Sequence, residues 1–198
     1  MLQERLGPSL AELGVPVKAQ IEAICATLAR TWEVDADPRL LSGADKAQRL
    51  AAFIAATWEE VDRPCSERVV AQALSYADAR GAAFDPKSSV LVHGDAQSSN
   101  TLSAGTGFKF VDPDGLFAER AYDLAIPMRE WSRELLDGDA LRLGRERCAY
   151  LSRLTGVAER PIWEWGFVER VSTGLFAIQV GAGDMGRAML QVSEEWAR

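Results

Sequence analysis

The sequence predicts a mainly helical fold of the α+β class with one small β region, because its hydrophobic pattern changes period twice. Apolar residues recur at helical spacing over residues 16–32, 50–61 and 69–77. Between residues 90 and 112 the spacing changes to short β-type runs around a glycine-containing turn, and after residue 115 the helical pattern returns. We therefore expect a helical body that carries a β-hairpin.

The individual elements follow from this pattern. The first predicted helix has Val17, Ile21, Ile24 and Leu28 at steps of four, three and four, which is the stripe of an amphipathic helix. The β region begins at residues 90–92, and its hairpin pairs residues 101–103 with residues 108–111. Later helices are predicted near residues 119–136, 141–154, 161–180 and 184–196.

The helix predicted at residues 161–180 contains two tryptophans whose role the sequence leaves open. Trp163 and Trp165 either line a pocket or pack in the core. Packing is favoured, because Trp163 lies on one apolar side of the helix together with Phe167, Val171 and Leu175.

Composition excludes several classes of function. The chain has 198 residues and a formal net charge of -7, so it lacks the basic surface of a nucleic-acid binder. Its only histidine is His93, which excludes metal centres that need two imidazoles, and its three cysteines show no paired spacing. No apolar stretch is long enough to span a bilayer. We predict a cytoplasmic protein without nucleic-acid or membrane partners.

The β region concentrates the residues that suggest chemistry. It has the form H-G-D-x-x-x-x-N, with Asp95 and Asn100 at the last two defined positions, and Asp112 follows twelve residues later. Phosphoryl transfer needs a group that positions a hydroxyl and ligands that neutralise phosphate charge. Asp95 suits the first task, and Asn100 and Asp112 offer the oxygen ligands that magnesium prefers.

Each of these motifs also has a purely structural interpretation. An isolated H-G-D is compatible with a turn in which the aspartate caps backbone amides, and the segment 112–115, D-P-D-G, is an ordinary turn sequence. Their joint occurrence at this spacing, on two neighbouring strand ends, favours a site. We expect the D-P-D-G segment to be both turn and site.

These residues resemble the catalytic and metal loops of the kinase-like aminoglycoside phosphotransferases. The segment 119–125, E-R-A-Y-D-L-A, and the segment 5–10, R-L-G-P-S-L, are similar to the streptomycin and hydroxyurea kinase branch. The resemblance implies the helical C-terminal lobe of the protein-kinase-like fold, with ATP as co-substrate, magnesium as cofactor and a hydroxyl of a small antibiotic-like molecule as acceptor. It also implies roles for individual residues: Asp95 as catalytic base, Asn100 and Asp112 as ligands of the magnesium-nucleotide, and His93 and Asp123 as structural supports of the catalytic loop.

The chain departs from the family pattern in two ways. Asp114 stands where a basic residue is more usual, and a further carboxylate there either joins the metal or repels phosphate. In addition, the four lysines do not lie in a strand of the type that contacts ATP. We expect residues 1–198 to form a single catalytic lobe without the ATP-gripping lobe, with residues 1–6 near the position of the connector between lobes.

This expectation has consequences for activity and assembly. Orientation of bound ATP contributes roughly 7–11 kcal/mol, whereas a general base contributes about 10²–10⁴-fold. The isolated chain is therefore predicted to be inactive or nearly so. An uncovered lobe-docking face is expected to favour self-association.

Two other functions are alternatives to a phosphotransferase. A non-catalytic relic or small-molecule-binding module of the same fold agrees with the absence of the small lobe. A magnesium- or manganese-dependent hydrolase is disfavoured, because such sites gather more acids or histidines than Asp95, Asn100 and Asp112 supply.

Overall fold

The computed structural model describes residues 5–37 and 39–198, in which eight α-helices surround two small sheets. The helices are α1 (Val17–Thr31), α2 (Gly43–Glu60), α3 (Glu67–Ala82), α4 (Ala121–Arg129), α5 (Ser132–Leu136), α6 (Ala140–Thr155), α7 (Glu159–Gln179) and α8 (Gly183–Trp196). The strands are β1 (Leu41–Ser42), β2 (Val90–Val92), β3 (Thr101–Ala104), β4 (Gly107–Phe110) and β5 (Leu116–Ala118). The predicted mainly helical fold with a β-hairpin is confirmed.

The hairpin consists of β3 and β4, which pair antiparallel with Thr101 opposite Phe110. Residues 7–10 run along its outer edge, where the Gly7 amide donates to the Ser103 carbonyl at 2.9 Å and the Leu10 amide donates to the Thr101 carbonyl at 2.8 Å. The N-terminal segment therefore extends the hairpin by one irregular strand. The first four residues of the predicted connector lie outside the described residues.

The second sheet has the strand order β1-β5-β2, with β5 parallel to β1 and antiparallel to β2. The sequence pattern did not predict a strand between Gly115 and the helix expected near residue 119, whereas residues 116–118 form β5. Leu116 and Ala118 are buried between the two neighbouring strands, so pairing partners that are distant in sequence decide the conformation of this short segment.

The helix predicted at residues 119–136 is divided into α4 and α5. The division falls at Trp131, which has the left-handed backbone angle φ of 53°. Two arginines from other helices occupy the carbonyls at the end of α4: Arg147 donates to the Glu130 carbonyl at 2.8 Å, and Arg170 donates to the Met128 carbonyl at 2.5 Å. Partners outside the segment therefore satisfy carbonyls that a continuous helix would have satisfied internally.

Helix α7 is the centre of the helical body and packs against α2, α3, α4, α6 and α8. It is buried on almost every side, whereas the sequence indicated one apolar stripe. Trp163 and Trp165 are 3% and 1% exposed, so both pack in the core. The same helix buries Glu164, Glu169 and Arg170. Glu169 pairs with Arg129 and Arg170 donates to the Met128 carbonyl, so both hold the end of α4 in place.

Candidate active site

The loop of residues 93–100 follows β2 and is held from below by a buried carboxylate. Asp123, in the first turn of α4, accepts hydrogen bonds from the backbone amides of His93 at 3.1 Å and Gly94 at 2.8 Å, and from the Trp32 indole at 2.9 Å. Burial raises the pKa of Asp123, and the three N–H donors oppose that rise. A residue that supports the loop has to bind the loop backbone, and Asp123 does so through the His93 and Gly94 amides.

His93 joins the loop to the segment that precedes Asp112. Its ring nitrogen Nε2 lies 3.1 Å from the Val111 carbonyl oxygen, and its Nδ1 accepts from the Asp95 amide at 3.2 Å. A neutral imidazole with its proton on Nε2 satisfies both contacts. With both ring nitrogens engaged, His93 has no nitrogen left for a metal in this geometry.

The Asp95 carboxylate is the most densely contacted group of the loop. Its Oδ2 accepts from the Gln97 and Asn100 side-chain amides, each at 3.0 Å, and its Oδ1 pairs with Arg129. A carboxylate offers about four acceptor positions, so roughly one remains for a further donor such as an alcohol. The side chain is 25% exposed, which leaves it accessible to a small molecule.

Asn100 is brought directly to Asp95, as the motif spacing suggested. Its Nδ2 donates both to the Asp95 backbone carbonyl and to the Asp95 carboxylate, at 3.0 Å each. These two acceptors fix the orientation of the amide. They leave its oxygen Oδ1, a hard ligand of the type magnesium takes, without a donor among the residues that the structure describes.

Residues on both sides of Asp112 hydrogen-bond to the loop that carries this pair. The Val111 amide donates to the Asn100 carbonyl at 3.0 Å, and the Gly115 amide donates to the His93 carbonyl at 3.2 Å. Asp112 itself has the left-handed backbone angle φ of 59°, which is uncommon outside glycine and frequent at functional sites. Its side chain is exposed, and no described residue hydrogen-bonds to its carboxylate.

Asp114 is the acid that departs from the family pattern, and a lysine compensates for it. Its carboxylate lies 3.3 Å from the Lys46 ammonium of α2. Its backbone also passes close to the loop, because a Cβ added at Gly94 would lie 2.8 Å from the Asp114 Cβ. Gly94 has a φ of 86°, so both the close approach and the backbone angle require glycine there.

The donor set fits a magnesium-nucleotide better than a metal held by protein alone. Asn100 and Asp112 supply an amide oxygen and a carboxylate, and magnesium typically combines one or two such groups with water and phosphate oxygens. Within residues 5–37 and 39–198, no group of three or more His, Cys, Asp or Glu side chains could hold a metal. The phosphates of a nucleotide would have to complete the coordination.

Arg129 and the residues behind it were not found from the sequence. Its guanidinium pairs with Asp95 and also with Glu169 of α7 at 3.0 Å, and Glu169 accepts from the Tyr122 hydroxyl at 2.5 Å. Burial by itself lowers the pKa of Arg129, but Glu169 and Asp95 outweigh burial and raise it. The sequence around Glu169 gave no signal for this contact, because α7 contains several charged residues and no spacing connects Glu169 to residue 95.

Glu130 supports the loop from its other side. Its carboxylate accepts from the Ser98 amide at 3.0 Å and from the Ser98 hydroxyl at 3.2 Å. Burial raises the pKa of Glu130, and the Ser98 amide opposes that rise. The loop is thus held between two carboxylates, the buried Asp123 and the half-buried Glu130, that lie seven residues apart at the two ends of α4.

The helical body, the braced H-G-D loop and the adjoining hairpin define the helical C-terminal lobe of the protein-kinase-like fold. Residues 1–181 match the family model of the aminoglycoside/hydroxyurea antibiotic resistance kinases, and the chain belongs to this family. No curated protein sequence matches the chain significantly.

Solved structures agree with this fold. A ternary complex of a thermostable mutant of aminoglycoside phosphotransferase APH(4)-Ia with ADP and hygromycin B is similar with a TM-score of 0.66 and 18% identity, over 98% of this chain and 70% of that one. Choline kinase from Cryptosporidium parvum Iowa II is similar with a TM-score of 0.53 and 12% identity, over 98% of this chain and 68% of that one. In the part of the chain that the structure describes, no helix is both long and apolar enough to cross a bilayer.

Proposed function

We propose that this chain is the catalytic lobe of an ATP-dependent phosphotransferase whose acceptor is a hydroxyl of a small antibiotic-like molecule. Family membership supports the reaction class, and the family description makes aminoglycosides the first acceptors to test. Among them, the resemblance of residues 5–10 and 119–125 to the streptomycin branch favours the streptomycin type. The neighbouring APH(4)-Ia complex holds ADP and hygromycin B, which supports ATP as the phosphoryl donor. The observation that carries the proposal is the direct contact between Asp95 and Asn100 on a loop braced by Asp123.

In the proposed reaction, Asp95 positions the acceptor hydroxyl through its remaining acceptor site and takes the hydroxyl proton. The acceptor oxygen forms a bond to the γ-phosphorus, and the bond from that phosphorus to the bridging oxygen of ATP breaks, so that ADP leaves with the electron pair. Magnesium bound by Asn100 and Asp112 would offset the phosphate charge. His93, Asp123 and Arg129 hold the loop and the Asp95 carboxylate in place.

Calorimetry with magnesium-ATP tests this assignment. We expect saturable binding to the chain, and Asp112→Ala should weaken it about tenfold or more because a hard oxygen ligand is lost. Asp78→Ala is the matched control, since Asp78 is an exposed acid on α3. Equal binding by the Asp112→Ala and Asp78→Ala variants would show that the nucleotide site is wrongly placed. No heat with the unsubstituted chain would favour the alternative, a non-catalytic binding module of the same fold.

Activity of the chain by itself is a separate prediction. We expect phosphorylation of hygromycin B or another alcohol by these 198 residues alone to stay at the level of an Asp95→Asn control, because the kinase-like fold also uses a small β lobe to orient ATP. Robust turnover by the purified chain, absent in Asp95→Asn, would refute this prediction while supporting the proposed reaction. Cytoplasmic location, self-association through the lobe-docking face and the lack of nucleic-acid partners also remain predictions.

A further inference from the structure

The D-P-D-G turn carries two carboxylates, and only one of them belongs to the proposed magnesium-nucleotide site. Asp112 is the proposed ligand, and Asp114 follows it with a single residue between them. The Cα atoms of two such residues lie at most about 7 Å apart. Salt screens exposed charges over about 10 Å, so a charge on Asp114 acts on any ion or phosphate that is held at Asp112.

A carboxylate at residue 114 without a partner would harm a nucleotide site in one of two ways. It would repel the phosphates of ATP, or it would bind the magnesium ion and take a coordination position that a phosphate oxygen needs. Both effects weaken the binding of magnesium-ATP, whereas the second also strengthens the binding of a divalent ion without nucleotide. A nucleotide site at this turn therefore needs a cation beside Asp114.

Helix α2 supplies this cation. The Lys46 ammonium lies 3.3 Å from the Asp114 Oδ2 atom, although the two residues are 68 positions apart in the chain. The same ammonium lies 5.7 Å from the centre of the Tyr122 ring, within the distance of a cation–π contact. Tyr122 is fully buried and its hydroxyl donates to Glu169, so the ring has a fixed position. The lysine is thus held between a rigid aromatic ring and the carboxylate of the turn.

The stability of α2 does not explain why a lysine stands at residue 46. Lys46 is the fourth residue of α2, near the end of the helix where the macrodipole disfavours a positive charge. Its side chain is only 20% exposed, compared with 49% for Asp114, so the cation has lost most of its water. A cation in such a place needs partners that replace the water, and Asp114 and Tyr122 are these partners.

The ion pair also adjoins the loop that carries Asp95. A Cβ added at Gly94 would lie 2.8 Å from the Asp114 Cβ, so the Asp114 side chain packs directly against the loop backbone. The loop bounds this side chain on one side, and Lys46 holds its carboxylate at α2 on the other.

We propose that Lys46 is a positioning residue of the magnesium-nucleotide site: its pairing with Asp114 keeps this carboxylate from the metal and its charge from the phosphates. Lys46 acts through Asp114 and does not itself bind the nucleotide. The inference rests on the proposed phosphotransferase function, and it gives α2 a part in nucleotide binding.

A double-mutant cycle with two probes tests this role. The probes are manganese ion alone, followed by electron paramagnetic resonance, and magnesium-ATP, followed by calorimetry. Lys46→Met should bind manganese about fivefold or more tightly and magnesium-ATP about fivefold or more weakly, because the Asp114 charge is then available beside Asp112. A general loss of structure would weaken both probes, so the opposite directions identify the positioning role.

The second half of the cycle removes the acid. In an Asp114→Asn background, Lys46→Met should change each affinity by less than about twofold, because the lysine has no carboxylate left to neutralise. Lys87→Met is the matched control in the unsubstituted chain. Lys87 is an exposed lysine that precedes β2, whereas the D-P-D-G turn lies at the other end of that strand. This variant loses the same charge and should change neither affinity.

An equal effect of Lys46→Met with and without Asp114 would overturn the inference, since the lysine would then act on the nucleotide directly. An unchanged manganese affinity in Lys46→Met would overturn it as well. The proposed function fails on a different result, the absence of magnesium-ATP binding to the unsubstituted chain. In that case a gain in manganese affinity that Asp114→Asn cancels would still support the role of Lys46, and no gain would overturn both proposals.

Discussion

Asp123 is the single residue on which the geometry of the H-G-D loop depends most. Its two oxygens receive donors from the loop and from Trp32, which directly follows α1. Gly94 donates to Oδ1, and both His93 and Trp32 donate to Oδ2. All of these donors are N–H groups, so only a group with two acceptor oxygens satisfies them. The carboxylate is fully buried, which makes each lost contact costly.

Asp123→Asn should therefore destabilise the fold, although it preserves the side-chain volume. In either orientation the amide places an NH₂ group against at least one N–H donor, and a buried unsatisfied donor costs about 1–3 kcal/mol. Urea unfolding at neutral pH measures this loss. Asp78→Asn, on the exposed surface of α3, should change stability by less than about 0.5 kcal/mol. An unchanged urea midpoint for Asp123→Asn would contradict the proposed bracing.

Folding stability should depend on pH through Glu130, and the sign of this dependence follows from the raised pKa of Glu130. Burial, the largest cause, lifts this pKa above the ordinary value of 4.5, so the folded chain holds a proton that the unfolded chain has released. Stability should consequently fall as the pH rises from about 4.5 through the folded-state pKa, and the loss should persist above it. Below 4.5 both states are protonated and the contribution vanishes.

Glu130→Gln removes this proton while keeping an oxygen that accepts from the Ser98 amide. Urea midpoints measured from pH 4 to pH 7 should fall less in the variant than in the unsubstituted chain. Asp123 has a raised pKa of the same sign, but it is present in both proteins and cancels in the comparison. Parallel pH profiles would show that Glu130 does not titrate differently in the folded state.

At the scale of elements, the close contact between α7 and α8 depends on glycine. A Cβ at Gly186 would lie 2.5 Å from the Gly174 carbonyl oxygen, and backbone cannot move aside as a flexible side chain can. At Gly81 of α3 the nearest atom to an added Cβ is the Ala47 Cβ at 3.6 Å, which is an ordinary contact. Both glycines are helical and neither has a positive φ.

These two glycines form a matched pair for mutation. Gly81→Ala should stabilise the chain by about 0.5–1 kcal/mol, because alanine loses less backbone entropy in a helix. Gly186→Ala gains the same helix propensity but should lose about 1–3 kcal/mol in net stability through overpacking. Thermal or urea unfolding measures both changes. Stabilisation by both variants would mean that α7 and α8 are not in tight contact at Gly186.

The helices and strands also show which structural features a local sequence pattern cannot predict. The first three helices and the hairpin were predicted because their signals lie within a few residues. Strand β5 was missed, since its conformation comes from β1 and β2, which lie far away in sequence. The division of α4 from α5 was missed as well, because the donors that satisfy the carbonyls at the end of α4, Arg147 and Arg170, come from other helices.

At the scale of the whole molecule, one core unites both ends of the chain. Buried apolar residues form a single cluster that extends from Leu10, beside the hairpin, to Trp196 at the end of α8. The six tryptophans are spread over several elements, so their fluorescence reports on the whole core. No described segment has a separate core that could unfold by itself.

Unfolding should therefore be one cooperative transition. We expect urea curves from tryptophan fluorescence and from far-UV circular dichroism to coincide, and Gly186→Ala should shift both curves by the same amount. Two separated transitions, or a shift seen by only one probe, would show that the helical body and the β region unfold as independent units.

The sequence alone predicted the helical class and the hairpin, because periodicity is a local property of the chain. Motif spacing predicted Asp95, Asn100 and Asp112 as site residues, and the family resemblance added Asp123. Only the tertiary structure decided that Arg129 pairs with Asp95, that Glu130 holds Ser98 and that Lys46 neutralises Asp114. These pairs lie between 32 and 68 residues apart. A charge that is removed from water needs hydrogen-bond donors or an opposite charge beside it, and the packing of helices determines which partners it meets.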